Sequence, residues 1–270
     1  MPERDVLGRG RVRQPAVAGT FYPSDGARLR SAVDSFLRCA SAARTAQPLR
    51  GLIVPHAGYP YSGPIAASAY SLLTAGAQVI ERVVLLGPAH FVPLHGAAVP
   101  VATGWRTPLG LVRIDPDLVR RARSLGALVD DQPHASEHAL EVQLPFLQVV
   151  LGTGAPILPV AVGVADPTWV AELLRALIEP GMLLVVSTDL SHYHGDETAK
   201  RLDQRTAAAI TARAADAIGP EDACGVFALR GALEWSRRAD LAVRLLDLRT
   251  SADTAGDASR VVGYGAFAIG

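Results

Sequence analysis

The chain has 270 residues, of which 49% are hydrophobic and 19% charged, and it contains two cysteines. That is enough apolar material for a large core without disulfides, which excludes a disordered chain and a small cystine-stapled scaffold. Lys plus Arg and Asp plus Glu each number 26, so no net field draws in nucleic acid or an anionic membrane. Lys200, the sole lysine, lies outside any glycine-rich loop, which excludes Walker-type nucleotide hydrolysis.

After the turn Pro23-Ser-Asp-Gly26, Leu29, Val33, Phe36 and Leu37 fall on one face of a helix over 26–40, with Asp25 as its cap. Cys39 reads as a small buried hydrophobe on that helix. Runs that are apolar at nearly every position follow at 51–54, 82–86, 157–162 and 182–186, the pattern of strands covered on both faces. Helical patterns separate or follow them at 64–73, 115–125, 138–151, 168–178, 197–217 and 221–237. Strand alternating with helix predicts a single α/β domain over 1–270, with a largely parallel or mixed central sheet and helices on both faces. Strands at 242–248 and 261–269 complete or edge the sheet, joined by a small, polar, mobile loop over 250–259. The uncharged stretch 142–165 is cut by Pro145, Gly152, Gly154, Pro156 and Pro159 into pieces too short to span a bilayer. Met1-Pro-Glu-Arg-Asp5 lacks the apolar core of a secretory leader, so a reducing cytoplasm is the expected compartment.

Three predicted strands run into a histidine: Pro55-His56-Ala-Gly-Tyr59, Gly87-Pro-Ala-His90 and Ser187-Thr-Asp-Leu-Ser-His192. Parallel strands share one carboxyl edge, where ligands bind, so topology should gather His56, His90 and His192 at one crevice. Neutral imidazoles there suit either a metal site or a general base. Gly58 and Gly63 let backbone approach a ligand, and Tyr59, Tyr61 and Ser62 add hydroxyls. Asp189 either orients an imidazole, takes part directly, or merely caps a turn. His138 and Glu141, at i and i+3, share a helical face; that spacing can hold a metal or simply open a helix with an acid in its first turn, and a role supporting the site from behind is expected. His134 is expected in a loop, and His95 and His194 on the surface. Cys224 lies near the start of a predicted helix, where the dipole favours thiolate and so metal binding; the plain alternative is a small buried hydrophobe.

Pro15-Ala-Val-Ala-Gly-Thr-Phe-Tyr-Pro23, Pro55-His-Ala-Gly-Tyr59, Tyr61-Ser-Gly63, Leu86-Gly-Pro-Ala-His90, Arg106-Thr-Pro-Leu109, Glu137-His-Ala-Leu-Glu-Val-Gln-Leu-Pro145, Ser187-Thr-Asp-Leu-Ser-His192 and Cys224-Gly225 stand in this order along nearly the whole chain. In these motifs the sequence resembles the Memo family, whose fold is similar to that of the class III (LigB-like) extradiol dioxygenases. The resemblance implies His56, His90 and Cys224 as metal ligands, with His192 and Asp189 as catalytic groups in the same pocket. Phe21, Tyr59, Ser62, His138 and Glu141 are then substrate-contacting or supporting residues. In the ring-opening dioxygenases the third ligand is a glutamate; a cysteine there moves metal preference toward zinc or copper. Phe21 stands where some members have Trp. The implied cofactor is a divalent metal, Fe(II) first, with Zn or Cu as alternatives. The implied partners are a small-molecule substrate and, as in many prokaryotes, a radical-SAM protein and an AMMECR-type protein. The leading expectation is a dioxygenase-like oxidoreductase acting on a small aromatic or otherwise chelating substrate. The alternatives are a zinc-type hydrolase, a phosphopeptide-binding adaptor, and a scaffold with a vestigial site.

Overall fold

The apolar runs form the centre of a mixed sheet in the computed structural model, which describes residues 10–40, 48–74, 78–152 and 154–270. In chain order the strands are β1 (Val12–Arg13), β2 (Gly51–Val54), β3 (Arg82–Pro88), β4 (Ala97–Val99), β5 (Gly104–Thr107), β6 (Gly110–Arg113), β7 (Leu128–Val129), β8 (Ile157–Val162), β9 (Met182–Ser187), β10 (His192–His194), β11 (Val243–Thr250) and β12 (Val261–Ile269). The helices are α1 (Gly26–Cys39), α2 (Tyr59–Thr74), α3 (Pro116–Ser124), α4 (Gln132–Ala135), α5 (Leu144–Leu151), α6 (Pro167–Leu177), α7 (Asp196–Thr211) and α8 (Val226–Arg238).

The large sheet has the order β10-β12-β2-β9-β3-β8-β4-β7, with β11 on the other side of β12. Its middle, β2-β9-β3-β8, is parallel. The flanking pairs β12–β2 and β4–β8 are antiparallel. Alternate residues of the central strands face opposite cores, which is why these segments read as continuously apolar. Ile53, Val84, Leu86, Leu184 and Val186 pack on one side with α3, α6, α7 and α8. Leu52, Val54, Val83, Leu85, Leu183 and Val185 pack on the other with α1, α2 and α5. A small sheet, β1-β5-β6, lies apart from it. No helix among the described residues is long and apolar enough to cross a membrane.

Several expectations are corrected. The predicted helix over 138–151 is an irregular loop, a 3₁₀ turn at Glu141–Gln143 and then α5, because Pro145 favours the first turn of a helix rather than its interior. Thr250 and Asp253 close a capping box on a 3₁₀ turn in the connection expected to be mobile, and Lys200 bridges Asp196 and Asp253 there. Cys39 is exposed, since the buried stripe of α1 runs through Leu29 and Val33 and Cys39, at the last position of the helix, falls beside that stripe. The segment read for a secretory leader, 1–5, lies outside the described residues.

Candidate metal centre

Adjacent parallel strands deliver the site. β2, β9 and β3 run side by side, with Val54 opposite Ser187 and Leu86 opposite Val186. Their carboxyl ends therefore release Pro55-His56, Thr188-Asp189 and Ala89-His90 at one edge, as the topology rule requires. Over that edge folds the loop carrying Glu137 and His138. Gly87 makes room for it, because a Cβ there would meet Leu140 Cδ2 at 2.8 Å. From the opposite side, Cys224 approaches just ahead of α8. A Cβ on Gly225 would meet Thr188 at 2.9 Å, so glycine at that position lets the cysteine segment close on Thr188 and Asp189.

Phe21, His56, His90, His138, Asp189, His192, Tyr193, Pro220, Glu221 and Cys224 line a cavity of about 610 Å³. One ligand atom each from His56, His90 and His138 lie within 4.8 Å of one another. The ring centroids are 5.3 Å apart for His56 and His90, 5.5 Å for His56 and His138, and 5.0 Å for His90 and His138.

The surrounding hydrogen bonds dictate which ring nitrogens are available. The Ser187 hydroxyl donates to the Ala139 carbonyl at 2.6 Å and accepts from Gln143 Nε2 at 2.9 Å. With that proton committed, His56 Nδ1, 3.0 Å from Ser187 Oγ, must be the donor, which leaves His56 Nε2 as a lone pair. Glu137, fully buried, accepts from the His90 backbone N–H at 2.6 Å and from Ala139 N–H at 2.9 Å. It also accepts from His90 Nδ1 at 3.0 Å. His90 therefore also offers Nε2, in the carboxylate–histidine arrangement that orients metal ligands. Burial alone would raise the Glu137 carboxyl, but the bonds from His90 and Ala139 bring it below its ordinary value. Burial, then the neighbouring His90, His138 and His192, holds His56 well below the usual imidazole range. His138 and His192 are also lowered, first by burial. His56 and His90, with oriented lone pairs, form with His138 a donor set that fits a divalent metal of borderline softness.

Among the described residues the trio includes His138, for which a supporting role is expected, and does not include Cys224. The cysteine remains close: Sγ lies 3.2 Å from His56 Nε2 and accepts from Asp189 N–H at 3.2 Å. The thiolate expected from a helix start is corrected. Cys224 precedes α8, and burial together with the Asp189 carboxylate pushes its thiol up to about 12. As a thiol it would donate to His56 Nε2; as a metal ligand it would be a thiolate. Asp189 accepts from His56 N–H at 2.7 Å, and burial pushes it up to about 7. His192 Nδ1 donates to the Leu190 carbonyl at 2.7 Å, so its Nε2 is left as a proton acceptor.

Other predicted site residues serve the frame instead. The Tyr59 hydroxyl donates to the Val142 carbonyl at 2.7 Å, the Ser62 hydroxyl to the Ala57 carbonyl at 2.7 Å, and neither residue lines the cavity. Glu141 is fully buried and turned toward the N-terminal segment. It accepts from Arg13 Nη1 at 2.6 Å, Ala16 N–H at 2.7 Å, Val17 N–H at 3.0 Å and the Tyr22 hydroxyl at 2.6 Å. That clasp places Phe21 against His138, with centroids 4.7 Å apart. His134 is corrected from loop to the short helix α4, whose first turn accommodates Pro133, and it is buried, whereas His95 and His194 are exposed as expected. Glu137, Ser187 and Gln143 were not singled out by the sequence; the one available signal was an acid directly preceding His138.

Fold and site together define an α/β protein with a histidine-lined centre at the carboxyl edge of its parallel strands. The chain belongs to the Memo family: the family model described as Memo-like protein matches residues 13–268. It is 35% identical to a MEMO1 family protein of Methanopyrus kandleri, over 94% of this chain and 98% of that protein. It is 36% identical to a MEMO1 family protein of Aeropyrum pernix, over 96% and 100%. In fold it is similar to the crystal structure of an uncharacterized protein from Escherichia coli K12, with a TM-score of 0.56 and 16% identity, over 83% of this chain and 100% of that one.

Proposed function

We propose that this protein is a metal-dependent oxidoreductase of dioxygenase-like type acting on a small aromatic, chelating substrate. The observation that carries the reading is the pair of oriented lone pairs, His56 Nε2 and His90 Nε2, fixed by Ser187 and Glu137 and set beside the free Nε2 of His192. His56 and His90 would hold the metal, completed by Cys224 or His138, the two donors adjacent to them. A bound divalent metal supplies Lewis-acid activation and, as iron, redox chemistry with dioxygen. The chain's own contribution is proton management and shape. His192 Nε2 accepts a proton from a substrate hydroxyl, and Asp189, poised near neutrality by burial, holds or returns one. Phe21, packed on His138, gives the cavity an apolar wall for a ring.

Among the described residues, the lining contains Asp189 and Glu221 and neither arginine nor lysine, which argues against an anionic phosphopeptide as ligand. The test is an oxygen-uptake screen over catechols and phenols with anaerobically prepared, Fe(II)-loaded protein. Uptake that disappears in His192→Gln supports the reading. No uptake, together with ester or peptide hydrolysis by zinc-loaded protein, replaces it with the hydrolase. The radical-SAM and AMMECR-type partners implied by the sequence resemblance belong to the same proposal, and affinity co-purification tests them.

A further inference from the structure

The rim of the cavity carries a residue that the proton chemistry does not use. Tyr193 lines the cavity, is 64% exposed, and has φ +64°, a left-handed conformation that a bulky side chain adopts only under constraint. The constraint is visible in the sheet. His192 pairs with Val262 and His194 with Val261, and the register shifts between them, so Tyr193 is the extra residue of a bulge in β10. The residue just before Val261 on the partner strand, Arg260, sets its guanidinium over the Tyr193 ring, 4.5 Å from the centroid. The bulge thus throws the ring outward, and Arg260, just ahead of β12, braces it.

An exposed aromatic ring in a strained backbone, braced by a cation, contributes little to the core. Strain of this kind persists where surrounding structure over-determines it, often at ligand sites. We infer that Tyr193 is a specificity-determining residue, the platform on which a planar aromatic substrate rests as it enters the centre, with Arg260 holding the platform in place. This rests on the proposed reading of the site as one for aromatic chelators, and it adds the residue that selects for the ring.

The test uses Fe(II)-loaded protein under anaerobic conditions and compares calorimetric affinity for catechol with that for acetohydroxamate, a chelator without an aromatic ring. Tyr193→Gly relieves the left-handed strain, so its Tm is expected at or above that of the wild type. Its catechol affinity is expected to fall about tenfold, from loss of the ring contact, with acetohydroxamate affinity unchanged. Tyr193→Phe should retain catechol binding to within about twofold, and Arg260→Met should lose about two- to threefold. If Tyr193→Gly binds both ligands as the wild type does, or loses both equally, the platform role is overturned while the metal reading stands. If wild-type protein binds acetohydroxamate but no catechol, the aromatic reading fails and the platform fails with it.

Discussion

Glu141 offers the sharpest link between folding and the site. Its two carboxylate oxygens receive four donors: Arg13 and Ala16 on Oε2, Val17 and Tyr22 on Oε1. Its side chain is 0% exposed, and that of Arg13 is 7% exposed. In Glu141→Gln one oxygen becomes an NH₂. The least costly placement puts it where Oε1 stood, because the Tyr22 hydroxyl can rotate to accept. Val17 N–H then faces a donor, and the Arg13 guanidinium loses its counter-charge. One stranded buried donor costs about 1–3 kcal/mol and the weakened buried ion pair adds to it, so roughly 3 kcal/mol is expected, or about 6–12 °C in Tm. Guanidinium unfolding with hydrogen exchange read at Ala16 and Val17 is the assay; both amides should lose protection while the central strands keep theirs. Replacing both partners, as in Arg13→Met with Glu141→Leu, should recover much of the loss, since the pair is then absent rather than broken. A Glu141→Gln variant within about 1 kcal/mol of the wild type, with both amides still protected, would refute the clasp.

Glu137→Gln should weaken metal affinity about 10- to 100-fold, by analogy with other residues that orient ligand imidazoles, with unfolding of the metal-free protein as control; equal affinity would remove Glu137 from the centre. His192→Gln should keep the metal stoichiometry and lower turnover about 10²-fold or more, and loss of metal instead would make His192 a ligand. Burial and then the Arg13 charge depress His134 to about 4. Between that value and the ordinary imidazole pKa, the folded chain holds fewer protons on His134 than the unfolded chain does. Stability is therefore present above about pH 6.5 and is lost as pH falls toward 4, by roughly 3 kcal/mol from this group. His134→Phe should flatten denaturation midpoints measured from pH 7 to pH 4.5 by that share, and an unchanged slope would contradict the assignment.

The strands at 51–54, 157–162 and 261–269 are legible in the sequence to the residue, because burial on both faces leaves an uninterrupted apolar signal. The short strands β4 to β7 leave no such mark: β4 and β7 have only three and two residues, and β5 and β6 each carry an exposed arginine that breaks the apolar run. His56, His90 and Asp189 are legible because each lies two residues past a strand of the parallel sheet, and His192 because it comes soon after them and opens β10. Glu137 is not: its partner His90 lies 47 positions away, and an acid next to His138 looks like the first turn of a helix. Glu141 misleads for the same reason. Its i, i+3 spacing from His138 suggests a shared helical face, whereas the chain turns between them and sends the carboxylate to Arg13, 128 positions upstream.

Metal content after anaerobic preparation, measured by mass spectrometry on wild type, His56→Ala, His90→Ala, His138→Ala and Cys224→Ser, bears most directly on the centre. The expected result is about one divalent ion per wild-type chain and none in either His56→Ala or His90→Ala, with whichever of His138→Ala and Cys224→Ser loses the ion identifying the third donor. A wild-type chain that takes up neither iron nor zinc nor copper, or one whose metal survives His90→Ala unchanged, would contradict the account.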